Sequence, residues 1–253
     1  MTLRNDRTQF PDFFGRVFYV GPNSGLSTEA KQKYGRNAYY FRDIASVLGK
    51  MVDGDCLIIG AGSHSTTVAA GIAVSKNNIT IQGEGSNPYS ARIAHGAGTD
   101  IAFLVSGAGV TIRNMTFLGA DADIKSISFS GAGILIEDCI FNDCKLAISG
   151  TGANAVIRRC DIDSDNTAAI GVDLLAAASF GKVQDCDFQL SGTTGDIGVK
   201  INATALKCLV ARCRFNSGIS DPISPGAQTG DVNDTETSEC TKNNETTAAW
   251  INT

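Results

Sequence analysis

One motif recurs along the chain, and its recurrence restricts the fold more than anything else in the sequence. Five segments align: Val110-Thr-Ile-Arg-Asn-Met-Thr-Phe117, Leu135-Ile-Glu-Asp-Cys-Ile-Phe141, Val156-Ile-Arg-Arg-Cys-Asp-Ile162, Val183-Gln-Asp-Cys-Asp-Phe188 and Val210-Ala-Arg-Cys-Arg-Phe215. Each reads aliphatic, two mostly polar residues, Met or Cys, any residue, then Phe or Ile. From Met115 through Cys139, Cys160 and Cys186 to Cys213 the steps are about 24, 21, 26 and 27 residues, inside the range of stacked solenoid repeats. A second strand belongs to each repeat: Ile101–Val105, Ser126–Phe129, Leu146–Ile148, Ile170–Leu174 and Ile197–Ile201, where alternate residues are apolar. Alternation is the signature of a strand with one face buried. Two short strands and a bend per repeat predict one coil of a parallel β-helix, each coil stacked on the last at about 4.8 Å.

Stacking predicts inward files of like side chains. One is Ile112, Ile136, Ile157, Val183 and Val210. The next is Met115, Cys139, Cys160, Cys186 and Cys213, and the third is Phe117, Phe141, Ile162, Phe188 and Phe215. A corner separates the first two files. Asn114, Asp138 and Asp185 suit a left-handed bend there, and Arg159 and Arg212 suit it less well. Read up the stack, Asp138, Arg159, Asp185 and Arg212 alternate in sign, so neighbouring coils present opposite charges, worth ~0.2–1 kcal/mol per exposed pair. The thiol spacing is too long for a Cys-x-x-Cys zinc site and too wide for relaxed disulfides. Reduced core thiols are expected, with Cys144, Cys208 and Cys240 outside the file.

Composition agrees with an ordered all-β chain. Of 253 residues, 43% are apolar, enough for a core, and 28 are Gly against 5 Pro, which points to many turns. Lys and Arg total 21 against 26 Asp and Glu, a net charge of -5, so no basic surface for nucleic acid is expected. No run approaches the roughly 20 apolar residues of a membrane span, and the opening Met1-Thr-Leu-Arg-Asn-Asp6 lacks the apolar segment of a secretory signal. Assembly in a cytoplasm is the resulting expectation.

The strand pattern continues more weakly in Cys56–Ile59 and Asn78–Gln82. Before these, Phe41, Ile44, Ala45 and Leu48 share one face of a helix expected over Phe41 to Met51, suited to cover the first coil's open edge. The order Val17-Phe-Tyr-Val-Gly-Pro-Asn-Ser24, that helix, then Asp53-Gly-Asp-Cys-Leu-Ile-Ile-Gly60, resembles the N-terminal cap of right-handed parallel β-helix proteins of the pectate-lyase-like superfamily. The division expected is an arm over 1–16, cap and first strand over 17–60, coils over 61–217 and a polar tail or cap over 218–253. The resemblance implies an all-β, single-stranded right-handed β-helix with a capping helix. Function does not follow from it, because the superfamily spans polysaccharide lyases, hydrolases, phage tailspikes and other virion proteins.

Candidate chemistry is sparse. His64 and His95 sit in Gly/Ser/Ala-rich stretches and read as surface-turn residues. Among the acidic residues Asp138, Asp143, Asp161, Asp163, Asp165, Asp185 and Asp187, the pair Asp161/Asp187 stands on adjacent coils. Two carboxylates about 5 Å apart suit retaining glycoside chemistry or a hard cation, although a solvated face is the blander reading. Most Phe residues are committed to the core, so no aromatic sugar groove is evident. Phe10, Phe13 and Phe14 in the N-terminal arm, and Trp250 near the other end, are candidate docking residues that serve either to cover the end coils or to hold a partner.

These features favour a phage virion structural protein, a capsid-decoration (cement) protein or short spike. Trimeric association and attachment to a capsid or tail protein are what the resemblance implies, with no cofactor or metal. The rival readings are a polysaccharide lyase or glycosidase using Asp161 and Asp187, and a non-catalytic tailspike holding host surface glycans.

Overall fold

A computed structural model describes residues 15–21, 39–41, 43–66, 71–95, 101–119, 125–191, 195–202, 204–205, 207–216, 219–225, 236–238, 240–242 and 245–246. Phe10, Phe13, Phe14 and Trp250 lie outside the described residues.

The chain winds into a parallel β-helix with three strands per coil rather than the two expected from the pattern. A corner splits each aligned motif, so Thr111–Arg113 and Thr116–Gly119, for example, belong to different sheets. The first sheet runs from Tyr39–Phe41 through Val17–Val20 and Cys56–Ile59 to Glu236–Ser238. The second runs from Gly62–Thr66 to Thr241–Lys242, and the third from Ile72–Val74 to Asp221–Pro225. Every pairing among the described strands is parallel except the last, where Thr241–Lys242 meets Glu245–Thr246 in antiparallel fashion. Registers are unbroken: Ile136 pairs with Ile112 and Ile157, and Phe141 with Phe117 and Ile162.

Register puts like on like. All fifteen residues of the three expected files are 2% exposed or less. Phe117 stacks on Phe141 with ring centroids 5.0 Å apart and an interplanar angle of 7°. Phe188 and Phe215 do the same at 4.9 Å and 11°, and Ile162 separates the two pairs. Flat rings need a neighbour without bulk, which the third sheet supplies as glycine. A Cβ on Gly171 would come within 2.6 Å of the Phe188 ring, and one on Gly198 within 2.4 Å of Phe215.

The corner between the first and second sheets is left-handed in each of these coils. Asn114, Asp138, Arg159, Asp185 and Arg212 have φ of 56°, 53°, 51°, 54° and 52°. The two arginines, poor candidates by intrinsic preference, adopt the bend as well. Each grips the aspartate one coil earlier: Arg159 Nε lies 2.7 Å from Asp138 Oδ1, and Arg212 Nε 2.6 Å from Asp185 Oδ1. Bidentate pairing offsets part of the roughly 1–2 kcal/mol that a Cβ costs in this region.

None of the eight cysteines forms a disulfide, and all eight are buried. The thiol file is longer than its motif. Cys240, expected outside it, continues it with Sγ 3.6 Å from Val210 O, as Cys213 Sγ lies 3.6 Å from Val183 O. Cys144 and Cys208 do stand apart, with Cys144 Sγ accepting from Ser126 Oγ at 2.8 Å. Strand pairing likewise runs past residue 217, because Asp221–Pro225, Glu236–Ser238 and Thr241–Lys242 each extend a sheet. Backbone ladders need no aliphatic side chains, which is why a polar segment joins the stack.

The helix is shorter than its periodicity suggests. It covers Ile44–Leu48, with Asp43 as N-cap accepting from Ser46 N at 2.7 Å, and buries Ile44, Val47 and Leu48. Phe41 belongs instead to the strand Tyr39–Phe41, which forms the outer edge of the first sheet. His64 also departs from expectation. It is 7% exposed, within the strand Gly62–Thr66, and in register with Ile93 and thus with the phenyl file. His95 is a strand residue rather than a turn residue.

Candidate functional site

Strand alternation sets the outer face as firmly as the inner one. Because Ile162 and Phe188 point inward, Asp161 and Asp187 point outward at the first positions of Asp161–Ser164 and Asp187–Leu190, and the two are register partners. Their backbones are therefore about 4.8 Å apart. The structure brings together the pair singled out in the sequence, and it also makes the two members unequal.

Asp187 is paired in turn with Arg214 of the next coil, which holds it through two hydrogen bonds, one of them 3.1 Å from Nε to Oδ1. Gln189 Nε2 donates to its other oxygen at 3.3 Å. Asp161 has no such support: Oδ1 is buried and makes no hydrogen bond. Burial raises its pKa above the ordinary carboxylate value, and the nearby charges of Asp187 and Asp163 raise it further, against a smaller opposing pull from Arg214. Asp163 is also raised, by burial and then by Asp165 and Asp143. The arrangement thus sets a carboxyl whose pKa is raised beside one held by a guanidinium, and acid–base pairs depend on such unequal surroundings.

Asp161 lies at one end of a groove of about 680 Å³ that crosses four coils along the corner, lined also by Gln82, Arg113, Asn114, Asp138 and Arg159. Asp187 is not among the lining residues. The groove floor is stiff. Arg113 Nη2 donates to Gln82 Oε1 at 2.7 Å, and Asn114 Nδ2 donates to Gly83 O at 3.1 Å and Gly85 O at 2.7 Å.

Beneath this surface is a cluster that the sequence reading missed. Glu137 is only 5% exposed, and three guanidiniums converge on it: Arg158 and Arg159 at 2.7 Å and Arg113 at 3.8 Å. The signal was present in the third residue of each first-sheet strand, Gln82, Arg113, Glu137, Arg158 and Gln184, which pairing places in one file. Among the described residues, no group of three or more His, Cys, Asp or Glu is placed to hold a metal ion. No helix among them is long and apolar enough to cross a membrane.

Solved structures share the winding. YbhC of Escherichia coli superposes with a TM-score of 0.62 over 90% of this chain and 72% of its own, at 11% identity. The fold is a right-handed parallel β-helix. Pectin methylesterase PemA from Erwinia chrysanthemi matches this β-helix over 96% of the chain and 93% of its own, with a TM-score of 0.52 and 11% identity. The catalytic domain of a GH87 alpha-1,3-glucanase in complex with nigerose matches over 92% of the chain and 46% of its own, with a TM-score of 0.58 and 15% identity. No family model and no curated protein sequence matches the chain. At such identities the likeness is one of fold, so chemistry has to be argued from this β-helix's own residues.

Proposed function

We propose that the chain is a carbohydrate-active β-helix that seats a polysaccharide in the corner groove and hydrolyses it at Asp161 and Asp187. The observation that carries this reading is the inequality of two stacked carboxyl groups, of which Asp161 lines the end of the polar groove and Asp187 stands one coil beyond it: Asp161 is half-buried, with Oδ1 making no hydrogen bond and its pKa raised, while Asp187 is held by Arg214. In this reading Asp161 donates its proton to the glycosidic oxygen, and the Asp187 carboxylate attacks the anomeric carbon. A carboxyl separation near 5 Å, which side chains on backbones one strand spacing apart can reach, suits the retaining course, in which water later releases the sugar from Asp187. Fold neighbours that act on or bind sugars support the reading without specifying the glycan.

The test is depolymerisation of a panel of neutral and acidic polysaccharides, measured as new reducing ends. Asp161→Asn and Asp187→Asn should each lower cleavage about 10²–10⁴-fold relative to the wild-type chain. Unchanged cleavage in either variant removes that residue from the mechanism.

A second reading has its own observation. Glu137, Asp138, Asp185 and Asp187 are all engaged by arginines of neighbouring coils, which is how a surface built for rigidity rather than turnover would look. On this reading the β-helix is a structural protein of a phage virion, a trimeric decoration protein or short spike attached through the arm carrying Phe10, Phe13 and Phe14 and through Trp250. As a spike it would also hold host glycans without cutting them. Electron microscopy of native particles tests it: threefold density of this size on a capsid or tail supports it, and its absence from purified particles removes it.

A further inference from the structure

His64 is an ionisable ring in a file otherwise built of hydrocarbon. Register aligns it with Ile93, Phe117, Phe141, Ile162, Phe188 and Phe215. It stands at the end of that file, on Gly62–Thr66, an edge strand of the second sheet among the described residues. The ring is 7% exposed, and Nε2 lies 2.9 Å from Gly60 O. A carbonyl only accepts, so in the neutral ring Nε2 carries the hydrogen.

Charged groups nearby face elsewhere. Arg92, on the paired strand Ala91–His95, is exposed on the outer face and bonds Tyr89 O at 3.2 Å. Glu84 accepts from Ala61 N at 3.2 Å and from Tyr19 Oη at 2.7 Å. Asp55 is committed to Arg16 and to Val52 N. On the short helix, Ile44, Val47 and Leu48 are the residues that enter the core.

We propose that His64 is an acid-sensitive latch on the first coil: protonating the ring releases strand Gly62–Thr66 from Ala91–His95 while the coils below stay closed. An edge strand has one neighbour to lose, whereas each inner strand has two, so opening is confined to the end. Burial holds the folded-state pKa of His64 below its ordinary 6.5. The open state therefore binds the proton better, and closure is favoured fully above about pH 6.5 and less with each step of acid below it. One proton gives at most a tenfold rise in the open population per pH unit. Carboxylates with lowered pKa, such as Asp53 and Asp55, act in the same direction but below the ordinary value of 3.8, so the two windows are separate.

Hydrogen exchange on the full chain from pH 7.5 to 5.0 tests the latch, with rates corrected for intrinsic pH dependence. Protection of 62–66 and 91–95 should fall up to tenfold per pH unit below 6.5, while that of Lys182–Gln184 and Leu209–Ala211 stays level. In His64→Leu, which fits the file, the fall should vanish. Equal loss in all coils, or the same loss at 62–66 in the leucine variant, overturns the proposal. Should the variant fail to fold, imidazole NMR of the wild-type chain decides. A His64 titration below 6.5 that tracks the loss of protection supports the latch, and a titration at 6.5 with protection unchanged overturns it.

Discussion

Arg159 bends left-handed at φ 51° directly over Asp138 at φ 53°, and the two side chains close a fork of 2.7 and 2.8 Å between consecutive coils. Backbone cost and side-chain gain are thus located in the same residue. Arg159→Gly removes both, and the exposed pair is worth about 0–1 kcal/mol against 1–2 kcal/mol of relieved strain. Arg159 also touches Glu137, whose lost partner opposes the gain. The expected change in unfolding free energy is within about 1 kcal/mol, measured by urea denaturation. Arg159→Ala keeps the strain and loses the contacts, so it should be clearly less stable than the glycine variant.

Glu137 should behave differently from these surface pairs. Glu137→Ala leaves Arg113, Arg158 and Arg159 crowded around an empty position, and breaking a buried ion pair costs about 3 kcal/mol when the cations remain part-exposed. Thermal unfolding followed by circular dichroism checks this, and a loss below 1 kcal/mol would show that water replaces the carboxylate.

Gly198→Ala should place a methyl group against the Phe215 ring, where the built contact is 2.4 Å. Overpacking of this kind costs about 1–3 kcal/mol. Pairing it with Phe215→Leu should recover part of the loss, a coupling that a double-mutant cycle measures.

The thiols should be silent in the folded chain. Burial pushes Cys56 and Cys139 up to about 12 and Cys144 up to about 11. These three hold almost no thiolate at pH 8, and all eight thiols are buried away from reagent. Ellman's reagent should count none in the native protein over minutes and eight in denaturant.

Asp161→Asn should trade function for stability. A carboxyl raised in the folded state contributes stability while protonated, and that contribution is lost as pH rises through its folded pKa. At pH 7 the asparagine variant should therefore melt higher than wild type, with the advantage gone near pH 3. If the chain is a glycosidase, kcat should fall about 10²–10⁴-fold in the same variant.

The inner files were legible because their period is printed in the chain: an aliphatic residue, a sulfur and a ring return every two dozen residues or so. Cys240 escaped because the residues around it are polar and the ladder that recruits it is made of backbone. His64 escaped for the opposite reason, since Gly, Ser and Thr flank a residue whose register partner, Ile93, is 29 positions away. Asp161 and Asp187 could be paired from spacing alone. Their inequality could not, because it depends on Arg214, a further coil along, and on a burial that only packing decides. The cluster at Glu137 needed register across three coils before its three arginines could be seen to meet.

Unbroken register also means that this molecule changes size in whole steps. Inserting one repeat of matching register would lengthen the rod by a single strand spacing and leave every existing neighbour relation intact but one. Lineages built on such a plan can tune reach by gene duplication of one turn at a time.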